Sequence, residues 1–208
     1  GYTFVMALGQ SGKIYQTKVD KTSPIKFEEI EDFVGQIGVD ISGTYDFSFV
    51  VLHDGRVFGI GSNWHCKLGL PEKVRSVSKF TEIDSLKNYK IISAFNGSCH
   101  SIFLTSNRKM IVCGYNGNGQ LFLKPKEIVF PPEEVDFCNG VTFCIAADLS
   151  SVAFVGIDPP KNVPNRKLNE VDESNIKKEM IDPKDEEIFK LQKENSELKF
   201  LLIDYKKR

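Results

Sequence analysis

One phrase recurs four times along the first 155 residues of this 208-residue chain, and it constrains the fold more than any other feature. Each copy joins two apolar runs through a short break, and the copies begin at Phe4, Phe47, His100 and Phe143. Self-similarity at a spacing of about 40–50 residues is the mark of a repeat architecture, in which neighbouring copies bury a shared core. The sequence therefore predicts an array of similar units.

Each copy is predicted to be a β-hairpin. Apolar residues alternate with their neighbours, as at Phe47, Phe49 and Val51, and this period of two is typical of a half-buried strand. The break at residues 54–55 is Asp-Gly, the strongest short signal for a hairpin, because the turn needs a positive φ. Asn-Arg at residues 107–108 also suits a turn, since Asn tolerates the left-handed region.

Two further phrases accompany the hairpins. Residues 39–43, 91–97 and 135–140 each predict one more short strand that ends at a glycine and precedes a hairpin. Residues 61–69 and 114–122 follow a hairpin and are dense in Gly and Asn, which indicates a compact loop. A chain built from these units is expected to be all-β.

This order of strands and loops resembles the regulator-of-chromosome-condensation repeat. The residues of the best copy that carry the resemblance are His100, Ser101, Leu104, Gly114, Asn116, Gly119, Gln120 and Leu121. The resemblance covers about residues 1–156 and implies a β-propeller of four-stranded blades. It also implies, as an activity of founding members, guanine-nucleotide exchange on a small GTPase.

The chain departs from that family in ways that affect the expected architecture. It has about three and a half repeats where the family usually has seven, it opens inside a repeat, and the fourth copy lacks its Gly-Asn loop. Phe122 stands where the family prefers glycine. Propellers close with four to eight blades. We expect a partial propeller of about three to four blades over residues 1–158, either truncated or degenerate, or completed by another chain.

Composition limits the partners and the compartment. The formal net charge is −1, which gives no electrostatic support for nucleic-acid binding. Neither a secretory signal nor an apolar run long enough to cross a membrane is present, so no membrane partner is expected. The five cysteines are odd in number and form no CxxC pair, which favours buried free thiols in a reducing cytoplasm or nucleus.

The carboxy-terminal part of the chain differs in composition. Residues 159–181 are polar and charged and predict a linker, and residues 182–208 predict an amphipathic α-helix that begins at Asp182-Pro183. Apolar positions on this segment step by three and four, with Asn195 inside the seam. Three interpretations remain open: a coiled coil that makes a homodimer, a helix docked on its own domain, and a marginal helix in solvent.

No group of residues predicts catalysis, a metal site or a cofactor. The glycine-rich residues 114–120 do not open a helix, as a phosphate-binding loop would, and adjacent residues such as Cys99 and His100 face opposite sides of a strand. His100 is expected to be packed and hydrogen-bonded. The sequence therefore predicts a protein that is not an enzyme.

Two functions follow from these features. The first is a non-catalytic protein–protein interaction module, and the alternative, implied by the resemblance, is an exchange factor or regulator of a small GTPase. The expected partners are proteins, with a small GTPase and a second copy of the chain among the candidates. The candidate interaction residues are Trp64, Tyr115 and Asn118 in the loops, and Ile188, Leu191, Asn195, Leu198 and Leu202 on the predicted helix.

Overall fold

The structure is a computed structural model that describes residues 4–18, 26–124, 126–136, 140–148, 150–155 and 198–200. These residues form antiparallel β-strands and three short 3-10 helices, at Glu31–Phe33, Trp64–Cys66 and Asp84–Leu86. The described part of the chain contains no helix that is long and apolar enough to span a bilayer. The all-β class predicted from the repeats is confirmed.

The strands form four separate antiparallel sheets. Sheet 1 has the order β14-β1-β2-β3, sheet 2 has β4-β5-β6-β7, sheet 3 has β8-β9-β10-β11, and sheet 4 pairs β12 with β13. The strand bounds are β1 Phe4–Gly9, β2 Ile14–Lys18, β3 Glu28–Glu29, β4 Gly38–Gly43, β5 Phe47–Leu52, β6 Val57–Ser62, β7 Ser76–Glu82, β8 Ile91–Asn96, β9 His100–Thr105, β10 Met110–Tyr115, β11 Ile128–Glu134, β12 Val141–Ala146, β13 Ser151–Val155 and β14 Leu198–Phe200.

The predicted hairpins are present, and their turns use the expected backbone conformation. Gly12, Gly55 and Arg108 have φ values of 83°, 95° and 66°, which is the left-handed region. In the second hairpin, the Gly55 N–H donates to the Leu52 carbonyl at 2.9 Å. Each break in the recurring phrase is therefore a tight turn between two paired strands.

Strands β5 of sheet 2 and β9 of sheet 3 are buried on both faces, whereas alternation predicted half-buried strands. In β5, Phe49 and Val51 join the core shared with sheet 3, while Val50 and Leu52 join the core shared with sheet 1. All six residues of β5 are buried. Alternation assigns the face of β5 that carries Ser48, Val50 and Leu52 to solvent. This face is internal, because a second sheet covers it.

Strand β9 repeats this arrangement one unit further along the chain. The Phe103 ring lies 5.0 Å from the Phe49 ring of sheet 2 in an edge-to-face geometry. On the opposite face of β9, Ile102 and Leu104 belong to the core that sheet 3 shares with sheet 4. The four sheets therefore stack in chain order, and sheets 2 and 3 are covered on both faces by their neighbours, as blades are in a propeller.

The fourth copy of the repeat has a different register from the one the sequence predicted. The Val141 N–H donates to the Arg108 carbonyl at 3.1 Å, as the Gly38 N–H donates to the Gly12 carbonyl at 2.8 Å. Strand β12 is therefore the equivalent of β4, the first strand of a blade. The sequence assignment of residues 143–147 to the first strand of the hairpin was wrong, because the apolar alternation of the two strands is alike.

The carboxy-terminal segment differs from the predicted helix where the structure describes it. Leu198–Phe200 forms β14, which pairs antiparallel with β1 through Ala7 opposite Phe200 and Gly9 opposite Leu198. Strand β14 occupies the same position in sheet 1 that β4 occupies in sheet 2, at the edge next to the first strand of the hairpin. Pairing there satisfies backbone groups at an otherwise open edge. The rest of the predicted helix, with Ile188, Leu191, Asn195 and Leu202, lies outside the described residues.

Candidate functional site

The loop after β6 is held in one conformation by the side chain of Asn63. Its Oδ1 accepts the Leu68 N–H at 3.0 Å, and its Nδ2 lies 3.1, 3.2 and 2.7 Å from the carbonyl oxygens of Leu70, Pro71 and Val74. Asn63 is only 2% exposed, so these bonds replace water that cannot reach it. The Asn of the Gly-Asn loop is therefore a structural residue.

Asn116 has the same role in the equivalent loop after β10. Its Oδ1 accepts the Leu121 N–H at 2.9 Å, and its Nδ2 donates to the Lys124 carbonyl at 3.3 Å. Asn118 is exposed, and its N–H donates to Oε1 of Gln120 at 3.0 Å. The structure therefore presents Asn118 at the surface of a well-defined loop.

Trp64 and Tyr115, predicted separately as interaction residues, meet through His65. The His65 ring lies 5.5 Å from the Trp64 ring and 5.1 Å from the Tyr115 ring. We call Trp64, His65 and Tyr115 the aromatic cluster; it spans the loop of sheet 2 and the end of β10 in sheet 3. Trp64 is 55% exposed, and the Arg75 guanidinium lies 5.4 Å from its ring.

Asn118 adjoins this cluster through the preceding residue. Gly117 approaches Tyr115 so closely that a Cβ at residue 117 would collide with the phenol oxygen. The structure thus gathers the three loop candidates into one region. The sequence missed His65 and Arg75, since neither a lone histidine nor a lone arginine signals a contact between repeats.

The backbone that carries the cluster is in an unusual conformation. His65 and Cys66 have φ values of 59° and 60°, although neither is glycine. In the equivalent loop, the position of Cys66 is held by Gly119, whose φ is 74°. The left-handed region costs a non-glycine residue roughly 1 kcal/mol or more. The turn at residues 64–66 is therefore held in place by the contacts around it.

Lys67 anchors the same loop to sheet 3. Its side chain is 3% exposed, and its Nζ lies 2.8 and 2.7 Å from the two carboxylate oxygens of Asp46. The ammonium group also donates to the Ser98 carbonyl at 3.0 Å, and Ser101 Oγ donates to the Lys67 carbonyl at 2.7 Å. A buried cation with this many partners fixes the loop between two sheets.

His100 is packed and hydrogen-bonded, as the sequence indicates. It is fully buried, and its Nε2 lies 2.7 Å from Ser151 Oγ of sheet 4. Burial lowers its pKa from 6.5 to about 4, although the charge of Asp148 acts in the opposite direction. The imidazole is therefore neutral at pH 7 and links sheets 3 and 4.

The described cysteines are placed as structural residues. Cys66, Cys99, Cys113 and Cys144 are free, and burial raises the pKa of the Cys66 and Cys113 thiols. A raised pKa keeps a thiol protonated and poorly nucleophilic. Across the described ranges, no group of three or more His, Cys, Asp or Glu side chains could hold a metal ion.

Stacked antiparallel sheets, with an asparagine fixing the loop after the third strand of a blade, define a propeller-like repeat protein. Residues 90–120 match the regulator of chromosome condensation (RCC1) repeat. The chain therefore carries an RCC1 repeat, and the resemblance stated from the sequence is confirmed. No curated protein matches the chain in sequence.

Solved structures with the same fold include human WBSCR16, with a TM-score of 0.61 and 13% identity over 74% of this chain and 42% of that one. Prp20p of Saccharomyces cerevisiae, described with its binding properties to Gsp1p and histones, has a TM-score of 0.56 and 14% identity over 75% and 41%. Yeast RCC1 (Prp20) bound to Kap60 has a TM-score of 0.55 and 19% identity over 77% and 43%. The chain thus spans about two fifths of the length of these proteins.

Proposed function

We propose that the protein is a non-catalytic interaction module that binds another protein through the aromatic cluster. In this proposal, residues 1–158 form the repeat module, residues 159–181 a linker and residues 182–208 a tethering segment. The observation that carries it is the exposure of Trp64, 55% of whose surface is open to solvent, in a loop fixed by buried bonds. Exposed Trp residues held on a rigid scaffold are enriched among the hot-spot residues of protein interfaces.

The composition and rigidity of the cluster fit a binding hot spot. Trp, Tyr and Arg are the residues that most often dominate protein interfaces; here Trp64 and Tyr115 lie on either side of His65, and Arg75 lies against the Trp64 ring. The Asn63 and Lys67 networks hold the loop before any partner arrives, which reduces the conformational entropy lost on binding. Asn118 would add a polar contact at the rim.

A pull-down with matched variants tests this proposal. The tagged chain, its Trp64→Ala variant and its Tyr45→Ala variant are compared for each captured protein by quantitative mass spectrometry. Tyr45 is 87% exposed and lies outside the cluster, so it is a control for loss of any exposed aromatic residue. We expect Trp64→Ala to reduce capture of the partner by about 30-fold, the effect of a hot-spot residue, with no change in the melting temperature.

Two outcomes would count against the aromatic cluster. One is equal capture by Trp64→Ala and the unmodified chain. The other is equal loss in Trp64→Ala and Tyr45→Ala, which would show a nonspecific effect of surface aromatic residues.

The carboxy-terminal segment is the second part of the proposal. In this proposal, Ile188, Leu191, Asn195 and Leu202 belong to a segment that tethers the module or joins two copies, while Leu198 lies in β14 and pairs with β1. The compartment we propose is the cytoplasm or nucleus, supported by the free thiols of the four described cysteines, three of which are buried.

Regulation of a small GTPase is the alternative function. It is supported by the RCC1 repeat at residues 90–120 and by the shared fold with Prp20p, whose binding to Gsp1p has been described. A nucleotide-release assay over a panel of small GTPases distinguishes the two functions. Acceleration above the intrinsic rate by the chain would favour exchange, and its absence would leave the interaction module.

A further inference from the structure

Three cationic side chains lie against an aromatic ring, with both groups inside the described residues. The pairs, with the distance from the cation to the ring centre, are Arg56 on Phe58 at 5.5 Å, Lys67 on Phe47 at 4.6 Å and Arg75 on Trp64 at 5.4 Å. The face of a ring attracts a cation, but it leaves most of the N–H donors of that cation without an acceptor. The three sites can therefore be compared by the acceptors that the chain provides.

At two of these sites the chain supplies a carboxylate to the cation. Arg56 Nε donates to Oδ2 of Asp54 at 2.8 Å, and its Nη2 donates to Oε1 of Gln36 at 2.7 Å. Lys67 Nζ lies 2.8 and 2.7 Å from the two carboxylate oxygens of Asp46. A cation on a ring is thus completed by an aspartate at both positions.

Arg75 has no such partner. Within the part of the chain that the structure describes, its guanidinium makes no hydrogen bond and no ion pair, and its one close contact is the Trp64 ring. Its backbone is nevertheless fixed, because the Asn63 N–H donates to the Arg75 carbonyl at 2.8 Å and the next residue begins β7. A guanidinium is a planar fork of donors whose geometry matches a carboxylate. Arg75 therefore presents an unused carboxylate-binding group beside an exposed aromatic ring.

We propose that the protein partner supplies the carboxylate that the chain does not: an Asp or Glu side chain that binds the guanidinium of Arg75. An apolar side chain of the same segment packs on Trp64, 55% of whose surface is exposed. This inference rests on the proposed binding through the aromatic cluster and states the chemistry of the partner. Hydrogen bonds between a guanidinium and a carboxylate are bidentate and stronger than those between neutral groups.

The charges of this loop favour a carboxylate over a phosphate group. The other exposed charged residues between β6 and β7 are Glu72 and Lys73, which cancel each other, so Arg75 leaves a single positive charge. Phosphorylated segments carry about two negative charges at each phosphate and are recognised by clusters of arginines. One guanidinium matches the single charge of an Asp or Glu side chain.

Fluorescence anisotropy with synthetic peptides and the full chain tests the proposal. The probes share one sequence, in which a phenylalanine is followed by Asp, Glu, Asn or phosphoserine. We expect the Asp and Glu peptides to bind about tenfold more tightly than the Asn peptide, and Arg75→Gln to remove this preference. Arg75→Lys should keep only part of it, because an ammonium group lacks the planar fork. Arg56→Gln is the matched control, since Asp54 and Gln36 already occupy that guanidinium.

The variant Trp64→Ala separates this inference from the proposed function. It should weaken the Asp and Asn peptides alike, because the ring packs on the phenylalanine that both contain. Equal binding of the Asp and Asn peptides by the unmodified chain, with both weakened by Trp64→Ala, would overturn the acidic partner and leave the aromatic cluster as the site. A phosphoserine peptide that binds more tightly than the Asp peptide, or binding of none of the peptides, would also overturn the proposal. Melting temperatures check that each variant remains folded.

Discussion

Acidification should destabilise the protein through His100, which lies between sheets 3 and 4. The buried imidazole has its pKa lowered from 6.5 to about 4 by burial. As the pH falls, the unfolded chain therefore takes up a proton before the folded chain does. The contribution of this histidine to folding stability is full above pH 6.5, declines between pH 6.5 and pH 4, and is lost below pH 4.

The size of the effect follows from the two pKa values. A shift of one pKa unit corresponds to about 1.4 kcal/mol, so the full effect of this shift is about 3 kcal/mol. Between pH 7 and pH 5, linkage gives a loss of about 2 kcal/mol in the free energy of unfolding. That is a large fraction of the stability of a typical domain, which is about 5–15 kcal/mol.

Urea unfolding at pH 7, 6 and 5 measures this loss, and His100→Gln isolates it. Other groups titrate in both proteins, so the difference between the two pH profiles belongs to His100. We expect the variant to be less stable at pH 7, because the bond to Ser151 Oγ is altered. Between pH 7 and pH 5, the free energy of unfolding of the variant should fall by about 2 kcal/mol less than that of the parent chain. If the free energy of unfolding fell equally with pH in the two proteins, the conclusion that His100 is buried and neutral would be refuted.

Two further predictions compare equivalent or matched positions by urea unfolding. Asn63→Ala should destabilise by about 3 kcal/mol, because Oδ1 no longer accepts from the Leu68 N–H and both Nδ2 hydrogens lose the three carbonyl oxygens they share; Asn116→Ala, which loses one accepted and one donated bond, should destabilise by about 1–2 kcal/mol. Gly61→Ala should cost more than about 2 kcal/mol, because φ is 106° and a Cβ would collide with the Asp46 carbonyl; Gly35→Ala, with φ 77° and open space, should cost about 1 kcal/mol. Equal losses within either pair would contradict these contacts.

The sequence predicted the hairpins because their turns depend on local chemistry. A left-handed residue is needed at the break of the phrase, and Gly12, Gly55 and Arg108 adopt it. The repeats predict that neighbouring sheets stack, but they do not predict how much of each strand the stacking buries. Alternation in β5 cannot show that Ser48 and Val50 are internal, since burial of that face depends on another sheet.

The register of the fourth copy could not be predicted from the sequence. Both strands of the β12–β13 pair have alternating apolar residues, and the Gly-Asn loop that fixes the register of the earlier copies is missing there. The bond from the Val141 N–H to the Arg108 carbonyl joins two repeats and becomes visible only in three dimensions.

The candidate site was predictable residue by residue but not as an arrangement. Trp64 and Tyr115 are conspicuous in glycine-rich loops, whereas their contact depends on His65 and on the stacking of sheets 2 and 3. At Leu198 the heptad pattern predicted a helix, and pairing with β1 gives a strand. A free strand edge is a tertiary feature that helix periodicity does not take into account.

The most direct test of the stacked sheets is a nuclear Overhauser measurement between aromatic rings in the full chain. The account places the Phe49 and Phe103 rings 5.0 Å apart across sheets 2 and 3, and turns Ile102 to the opposite face of β9. It predicts cross-peaks between the protons of the two rings and none between the Phe49 ring and the Ile102 methyl groups. Cross-peaks from Phe49 to Ile102 in place of Phe103 would contradict the account.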